Sequence, residues 1–235
     1  MTIYRIMLLL MLAVASLLAV NELQPTAHAQ SSVVKHPLAA ELFAAARADD
    51  ANLIRKLLDR GVQVDVRNGQ GRTALLIATH ANSVNAARAL IEAGADVNAK
   101  DNIEDSPYLY AGAEGRLDIL KMTVAAGADL KSVNRYGGTA LTPAAHHGHV
   151  EVVRYLLSTK IDIDLVNKLG WTALLEAVIL GDGSPTYQKI VELLLRAGAN
   201  TSIADKEGVL PIEHARSQGY REIVALIQNT KPVRK

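Results

Sequence analysis

The chain has 235 residues, 25 Lys and Arg against 24 Asp and Glu, no Cys, and only seven Tyr, one Trp and one Phe. A net charge of +1 gives no polybasic field to hold nucleic acid or an anionic membrane, and without Cys there is no disulfide framework, thiolate-held metal or thiol nucleophile. With 49% hydrophobic residues but so few rings, the core has to be built from Ala, Leu, Val and Ile, which suits helices packed in thin, close layers.

Residues 1–29 read as a secretory leader. Arg5 supplies the positive start, Ile6 to Val20 is apolar with one Ser, and Ala27-His28-Ala29 before Gln30 fits an A-x-A cleavage site. As a helix the apolar run rises about 22 Å, short of a hydrocarbon core of roughly 30 Å. A cleaved signal is therefore expected rather than a kept anchor, which places the mature chain in the periplasm or outside the cell. Residues 30–37 form a short polar lead-in.

From Leu38 onward the sequence repeats. Gly61, Gly94 and Gly127 recur every 33 residues, and the series continues through Lys160 to Gly198. Asn68, Asp101, Asn134, Asn167 and Asp205 keep the same step, as do Thr73, Ser106, Thr139, Thr172 and Leu210, all with one slip of five residues before the last member. The shared period defines units at 38–70, 71–103, 104–136, 137–169, 170–207 and 208–230. Each residue type suits its place. The Gly ends a helix, the Asn or Asp opens a turn, and the Thr or Ser caps a short helix, with Pro107 and Pro211 at a first helical position. After a bend, apolar spacing such as Val152, Val153, Leu156 and Leu157 predicts a second helix.

Two passages carry a family likeness: Gly137-Gly-Thr-Ala-Leu-Thr-Pro-Ala-Ala-His-His-Gly-His-Val-Glu-Val-Val and Ala93-Gly-Ala-Asp-Val-Asn-Ala-Lys-Asp. The chain from about Leu38 to Gln228 resembles ankyrin repeats, and the run Thr172-Ala-Leu-Leu-Glu-Ala-Val-Ile-Leu-Gly-Asp-Gly183 resembles a subgroup of secreted bacterial ankyrin proteins. The resemblance implies an all-α ankyrin-repeat solenoid of about six helix-turn-helix units with short β-hairpin fingers, in which fingers and inner helices line a concave groove. Four departures stand out. Leu76, Leu109, Thr142, Leu175 and Glu213 replace the family's His after T-P-L; Glu104 and Lys160 replace turn and helix-end Gly; Pro143 falls inside a first helix; and residues 181–186 carry a five-residue insertion. Pro143 demands a late helix start, and Glu104 and Lys160 are strained wherever the backbone is left-handed.

The first unit lacks a clear finger and exposes Arg47, Asp49, Asp50, Arg55, Lys56 and Asp59, as a terminal unit requires. Lys231 to Lys235 form a basic tail. Chemistry is sparse. His146 and His149 would be i, i+3 if one helix ran through them, with His147 between, but His80 lies two units away. Asp162 and Asp164 read as loop-closing side chains, and no nucleophile elbow, P-loop or H-E-x-x-H occurs. No enzyme activity, cofactor or resident metal is expected.

Family members bind proteins through finger tips and the open side of the inner helix. Those positions carry Gln70 and Arg72, Asn102, Ile103 and Asp105, Arg135 and Tyr136, Lys168, Leu169 and Trp171, then Lys206, Glu207 and Val209. The inner helices add Arg47, His80, Glu114, His146, His147, Ile179 and Leu180. The expected partner-binding set is Arg135, Tyr136, His146, His147, Lys168, Leu169, Trp171, Ile179 and Leu180, with Arg72 and Glu114 beside it. An aromatic and aliphatic cluster rimmed by cations is the composition of a binding hot spot. The function expected is a non-catalytic module holding another protein, as a monomer, with no nucleic acid and no membrane once the signal is cleaved. Two alternatives remain: an immunity or inhibitor protein blocking a toxic exported enzyme, and a metal or small-ligand carrier using His146, His147 and His149.

Overall fold

The computed structural model describes residues 37–230. The leader, the lead-in as far as residue 36 and the basic tail lie outside the described residues. Among the described residues, twelve helices form six pairs. The inner members are α1 (Pro37–Arg47), α3 (Ala74–Ala81), α5 (Pro107–Ala113), α7 (Leu141–His146), α9 (Ala173–Ile179) and α11 (Pro211–Ser217). The outer members are α2 (Ala51–Asp59), α4 (Val84–Glu92), α6 (Leu117–Ala125), α8 (Val150–Leu157), α10 (Pro185–Arg196) and α12 (Arg221–Asn229). Each inner helix packs on the next inner helix and each outer on the next outer, so the pairs stack in chain order. None of the described helices is long and apolar enough to cross a membrane.

A single apolar layer runs between the two rows of helices, made of Leu, Ile and Val with Ala at the close approaches. At Gly112 the approach is closer than Ala allows, since a Cβ there would lie 2.7 Å from that of Ala140. Inner helices start where Thr73, Ser106 and Thr172 accept the amide three residues on, from Leu76, Leu109 and Leu175. At α7 this cap fails, and Pro143 is the reason. The Thr139 carbonyl has no N–H to take from Pro143, so it takes that of Thr142 instead, the helix begins one residue late, and the buried Thr139 hydroxyl is left without a partner.

Outer helices end on Gly with a six-residue closing bond, as where Gly94 is left-handed and Ala95 N donates to Leu90 O at 3.0 Å. Lys160 escapes the expected strain because its backbone is not left-handed. There the Thr159 hydroxyl relays the bond, accepting from Ile161 N at 3.3 Å and donating to Leu156 O at 2.6 Å. Glu104 does take the left-handed turn, with φ 67.

The fingers differ from the hairpins that were expected. No described residue is in a strand. Each finger is a five-residue turn closed by two backbone bonds, such as Asn167 N to Trp171 O at 3.0 Å and Gly170 N to Asn167 O at 2.9 Å, and by the leading Asn or Asp, whose Oδ1 takes two further amides. Once that side chain has satisfied the donors, no ladder remains to extend.

Neighbouring pairs are tied by rungs that recur with the repeat. In the long loops Asp65 accepts from Asp96 N, Asn98 from Asp129 N, and Asp164 from Asn200 N, at 2.8 to 3.0 Å. Lys131 occupies the equivalent place between Asn98 and Asp164 and has no oxygen to offer. Along the fingers Asn102 N donates to Gln70 O and Lys168 N to Tyr136 O. The ammonium groups of Lys100, Lys168 and Lys206 donate to Val133 O, Arg135 O and Lys168 O. Asp49 also acts as a tie rather than as a water-facing charge: it is left-handed, with φ 58, and accepts from Ala86 N at 2.7 Å and Asn85 Nδ2 at 2.8 Å.

The five-residue insertion divides in two. The outer helix α10 starts two residues later than its counterparts and runs three residues longer, 12 against the 9 of α4 and α6. The bend before it lies at the end of α9 away from the fingers and is stitched to both neighbours. Tyr187 donates its hydroxyl to His146 O at 2.6 Å, Tyr220 to Gly181 O at 3.0 Å, and Gln218 Nε2 to Val178 O at 2.9 Å.

Candidate functional site: the finger and inner-helix face

The sequence-predicted residues divide by exposure. Arg135, Tyr136, His147, Lys168 and Glu114 are exposed; Arg72, His146, Leu169 and Leu180 are half-buried. Trp171 and Ile179, expected at the surface, are buried, at 7% and 4% exposure. The correction has a local cause. Trp171 is the fifth residue of its finger, where the chain turns from the tip into α9, and it lies over Leu175 and Ile179 four and eight residues on. Leu175, which stands where the family has His, gives the indole an apolar floor and is itself fully buried. With Leu169 and Leu180 packed against them, these residues form an apolar cluster separate from the main core.

The third residue of each finger behaves differently. Ile103 is 47% exposed and Tyr136 42%, two of the three large apolar side chains most open to solvent among the described residues. They sit at the same place on adjacent fingers, and Leu169 occupies that place on the next. Arg135 lies over the Tyr136 ring, 5.0 Å from its centroid, and pairs with Asp105 at 3.3 Å.

Beneath the tips the face is lined by polar contacts that the repeat register alone does not reveal. Asn167 Nδ2 donates to Glu176 Oε1 at 2.8 Å, and in the last unit Asp205 and His214 meet at 2.7 Å, each pair nine residues apart. The finger's leading residue thus reaches the inner helix at one fixed position, which is how Glu176 could have been found. Burial pushes the Glu176 carboxyl up to about 7 against the pull of the Asn167 hydrogen bond. His146 Nδ1 stands 3.9 Å from Glu176 Oε2, beyond hydrogen-bond reach. Burial, then the neighbouring His147, pushes His146 down to about 4, so the two make no ion pair at neutral pH. In the second unit Arg72 Nε donates to the buried Asp101 at 3.1 Å. His80 stacks on Tyr110 at 3.6 Å between ring centroids, and is held down to about 4 by burial and then by Arg72.

The histidine cluster does not converge. Helix α7 ends at His146 and His149 precedes α8, so the i, i+3 helical pair does not form. His147 Nδ1 meets Ala113 O at 2.7 Å, and its ring stands 4.5 Å from that of His146 and 5.9 Å from that of His149. Among the described residues, no group of three or more His, Cys, Asp or Glu side chains is placed to hold a metal ion.

Comparison with known proteins agrees with this architecture. A family model for ankyrin repeats in three copies matches residues 10–101 and 108–205. The crystal structure of an ankyrin repeat domain from Acinetobacter baumannii AYE is similar at 60% identity and TM-score 0.78, covering 80% of this chain and 96% of that one. The crystal structure of another ankyrin repeat protein is 43% identical with TM-score 0.79, covering 82% and 98%. The Escherichia coli K12 ankyrin repeat protein YahD is 47% identical over 53 residues, a stretch spanning 23% of this chain and 26% of YahD. With the helix pairs, the finger turns and these matches in agreement over most of its length, the chain belongs to the ankyrin-repeat family.

Proposed function

We propose that this protein is a non-catalytic module, exported from the cytoplasm, that binds a partner protein through its finger and inner-helix face. The observation that carries the reading is the exposure of Ile103 and Tyr136 at matching fingertip positions beside Arg135 and Lys168. Apolar side chains in adjoining repeats with cations at their edge supply the desolvated centre and polar rim of an interface. Trp171 and Ile179 support that surface from below rather than forming it. The reading of export rests on the leader in residues 1–29.

The test is affinity capture from periplasm and medium with the chain from Gln30 onward, set against a Tyr136→Ala, Arg135→Ala double variant. A partner retained by the wild type and lost by the double variant, with both proteins melting within a few degrees of each other, is the expected result. Equal capture by both would remove the tips from the binding surface. For export, the product in the periplasm or medium should start at Gln30, and a product kept in the cytoplasm with its leader intact would contradict it.

A further inference from the structure

Three fingers carry an apolar residue at their third position, spaced by one repeat of 33 residues: Ile103 and Tyr136, which are exposed, and Leu169, which is half-buried against the Trp171 cluster; the fingers on either side carry Gln70 and Glu207 there. The stripe therefore has two ends. From the structure we infer that its occupant is an amphipathic helix of the partner, with apolar residues seven apart and acidic residues along one flank. The inference rests on the protein-binding reading above and adds what kind of segment is bound.

Spacing is the first argument. Stacked helices lie about 8–10 Å apart, so the fingertips recur at about that interval. Seven residues of α-helix advance about 10.5 Å, which brings one apolar side chain to each tip. Same-face side chains of an extended strand recur at about 6.6–6.8 Å and would meet the first tip and miss the second. Three tips need about 15 residues of helix, four turns, over which the drift of a seven-residue repeat stays small.

Charge is the second. The second position of the fingers is Arg135, Lys168 and Lys206 in succession, all exposed. These cations are held in place before anything binds. Arg135 is fixed between Asp105 and the Tyr136 ring, and Lys168 and Lys206 each donate one hydrogen bond to a carbonyl of the preceding finger. An ammonium has three donors, so both lysines can still meet a carboxylate, and a side chain already ordered loses less entropy on binding. The exposed acids Glu104 and Glu207 stand at the two ends of the stripe. The complementary helix accordingly carries its acidic residues beside its middle and third apolar anchors, opposite the cations.

The test places the photoreactive residue p-benzoylphenylalanine in the full chain at position 103, 136 or 169 in turn, with position 147 on the inner face as a fourth site. After irradiation in the producing cells, the cross-linked partner peptides are sequenced. The expected result is one partner segment hit at three places about seven residues apart, with acidic residues flanking the middle and last. Steps of about three residues per tip would mean an extended strand and overturn the inference. Cross-links at 147 with none at the three tips would overturn it while leaving a protein-binding face intact. Cross-links at none of the four would remove both. Charge reversal by Lys168→Glu with Lys206→Glu should lower the yield at position 136 about fivefold or more; an unchanged yield would overturn the acidic flank.

Discussion

The α7/α8 pair is joined to its two neighbours in different ways. Towards α9/α10 the ties include a backbone bond and half-buried side chains, Lys168 N to Tyr136 O, Asp164 to Asn200 N and Tyr187 to His146 O, beside the exposed Lys168 ammonium on Arg135 O, and the most extensive contact between any two successive inner helices. Towards α5/α6 the loop rung is missing at Lys131, no backbone bond joins the fingers at 101–105 and 134–138, and outer helices α6 and α8 touch less than any other successive outer pair. Side chains hold this second seam. Lys100 reaches Val133 O, His147 reaches Ala113 O, Arg135 pairs with Asp105, and Lys121 lies 5.9 Å from the Tyr155 ring. Its interior also carries two buried hydroxyls without partners, Thr139 and Tyr108. Tyr108 stands where other units have Leu75, Leu141, Leu174 and Ile212; burial pushes its pKa up, and the charges of Asp129 and Tyr155 add to that. In a stack whose stability is a sum of unit and interface terms, equal sequence register does not give equal interfaces, and the α5/α6 to α7/α8 seam should open first.

The largest effect is expected inside the unit that the tighter seam joins to α7/α8. Asn167→Ala removes the acceptor that closes the 167–171 finger and the only hydrogen-bond donor to the buried Glu176 carboxyl among the bonds described for it. It should cost about 3 kcal/mol in urea denaturation; a loss below about 1 kcal/mol would show that the finger closes without it.

Glu176→Gln comes next and depends on pH. An acid raised from 4.5 to about 7 keeps its proton in the folded chain after the unfolded chain has released it. Its stabilising contribution is complete below 4.5 and is lost as pH rises to about 7. His80 and His146, lowered from 6.5 to about 4, act in the opposite sense, contributing fully above 6.5 and less as pH falls towards 4. Gln cannot ionise and keeps an oxygen for Asn167, so the variant should match the wild type near pH 4.5 and exceed it at pH 8. Equal stability at both values would mean that Glu176 titrates normally.

Two changes tighten the looser seam. Tyr108→Phe removes a buried hydroxyl without a partner and should stabilise by about 1 kcal/mol, with slower amide exchange in α6 and α8. Lys131→Asn supplies the missing acceptor for Asp162 N and should add about 0.5 kcal/mol. Neither should alter exchange in α10 and α12, so a uniform change along the stack would contradict the idea of a local seam.

Much of the fold is written in the sequence because each repeat position has a physical demand that few residue types meet. The late start of α7 follows from the missing N–H of Pro143, and the turn at Glu104 follows from the Gly it replaces. The end of α8 was less legible: Lys160 marks an absent Gly, but the relay through Thr159 depends on a hydroxyl two residues before the amide it serves. At the site, Tyr136 was found because its tip position is exposed in any stack. Trp171 was misplaced because the fifth finger residue faces outward or inward according to what the inner helix offers. In the second unit that position holds Arg72, paired with Asp101, whereas Leu175 and Ile179 make an apolar floor for an indole.

The division between tips that bind and side chains that support them can be measured by hydrogen–deuterium exchange of the captured complex against the free protein. The account predicts protection of the turns at 101–105, 134–138 and 167–171, extending into α7 and α9, with the outer helices unchanged. Protection confined to outer helices α6, α8 and α10, with these three turns exchanging as in the free protein, would place the partner on the opposite face and contradict it.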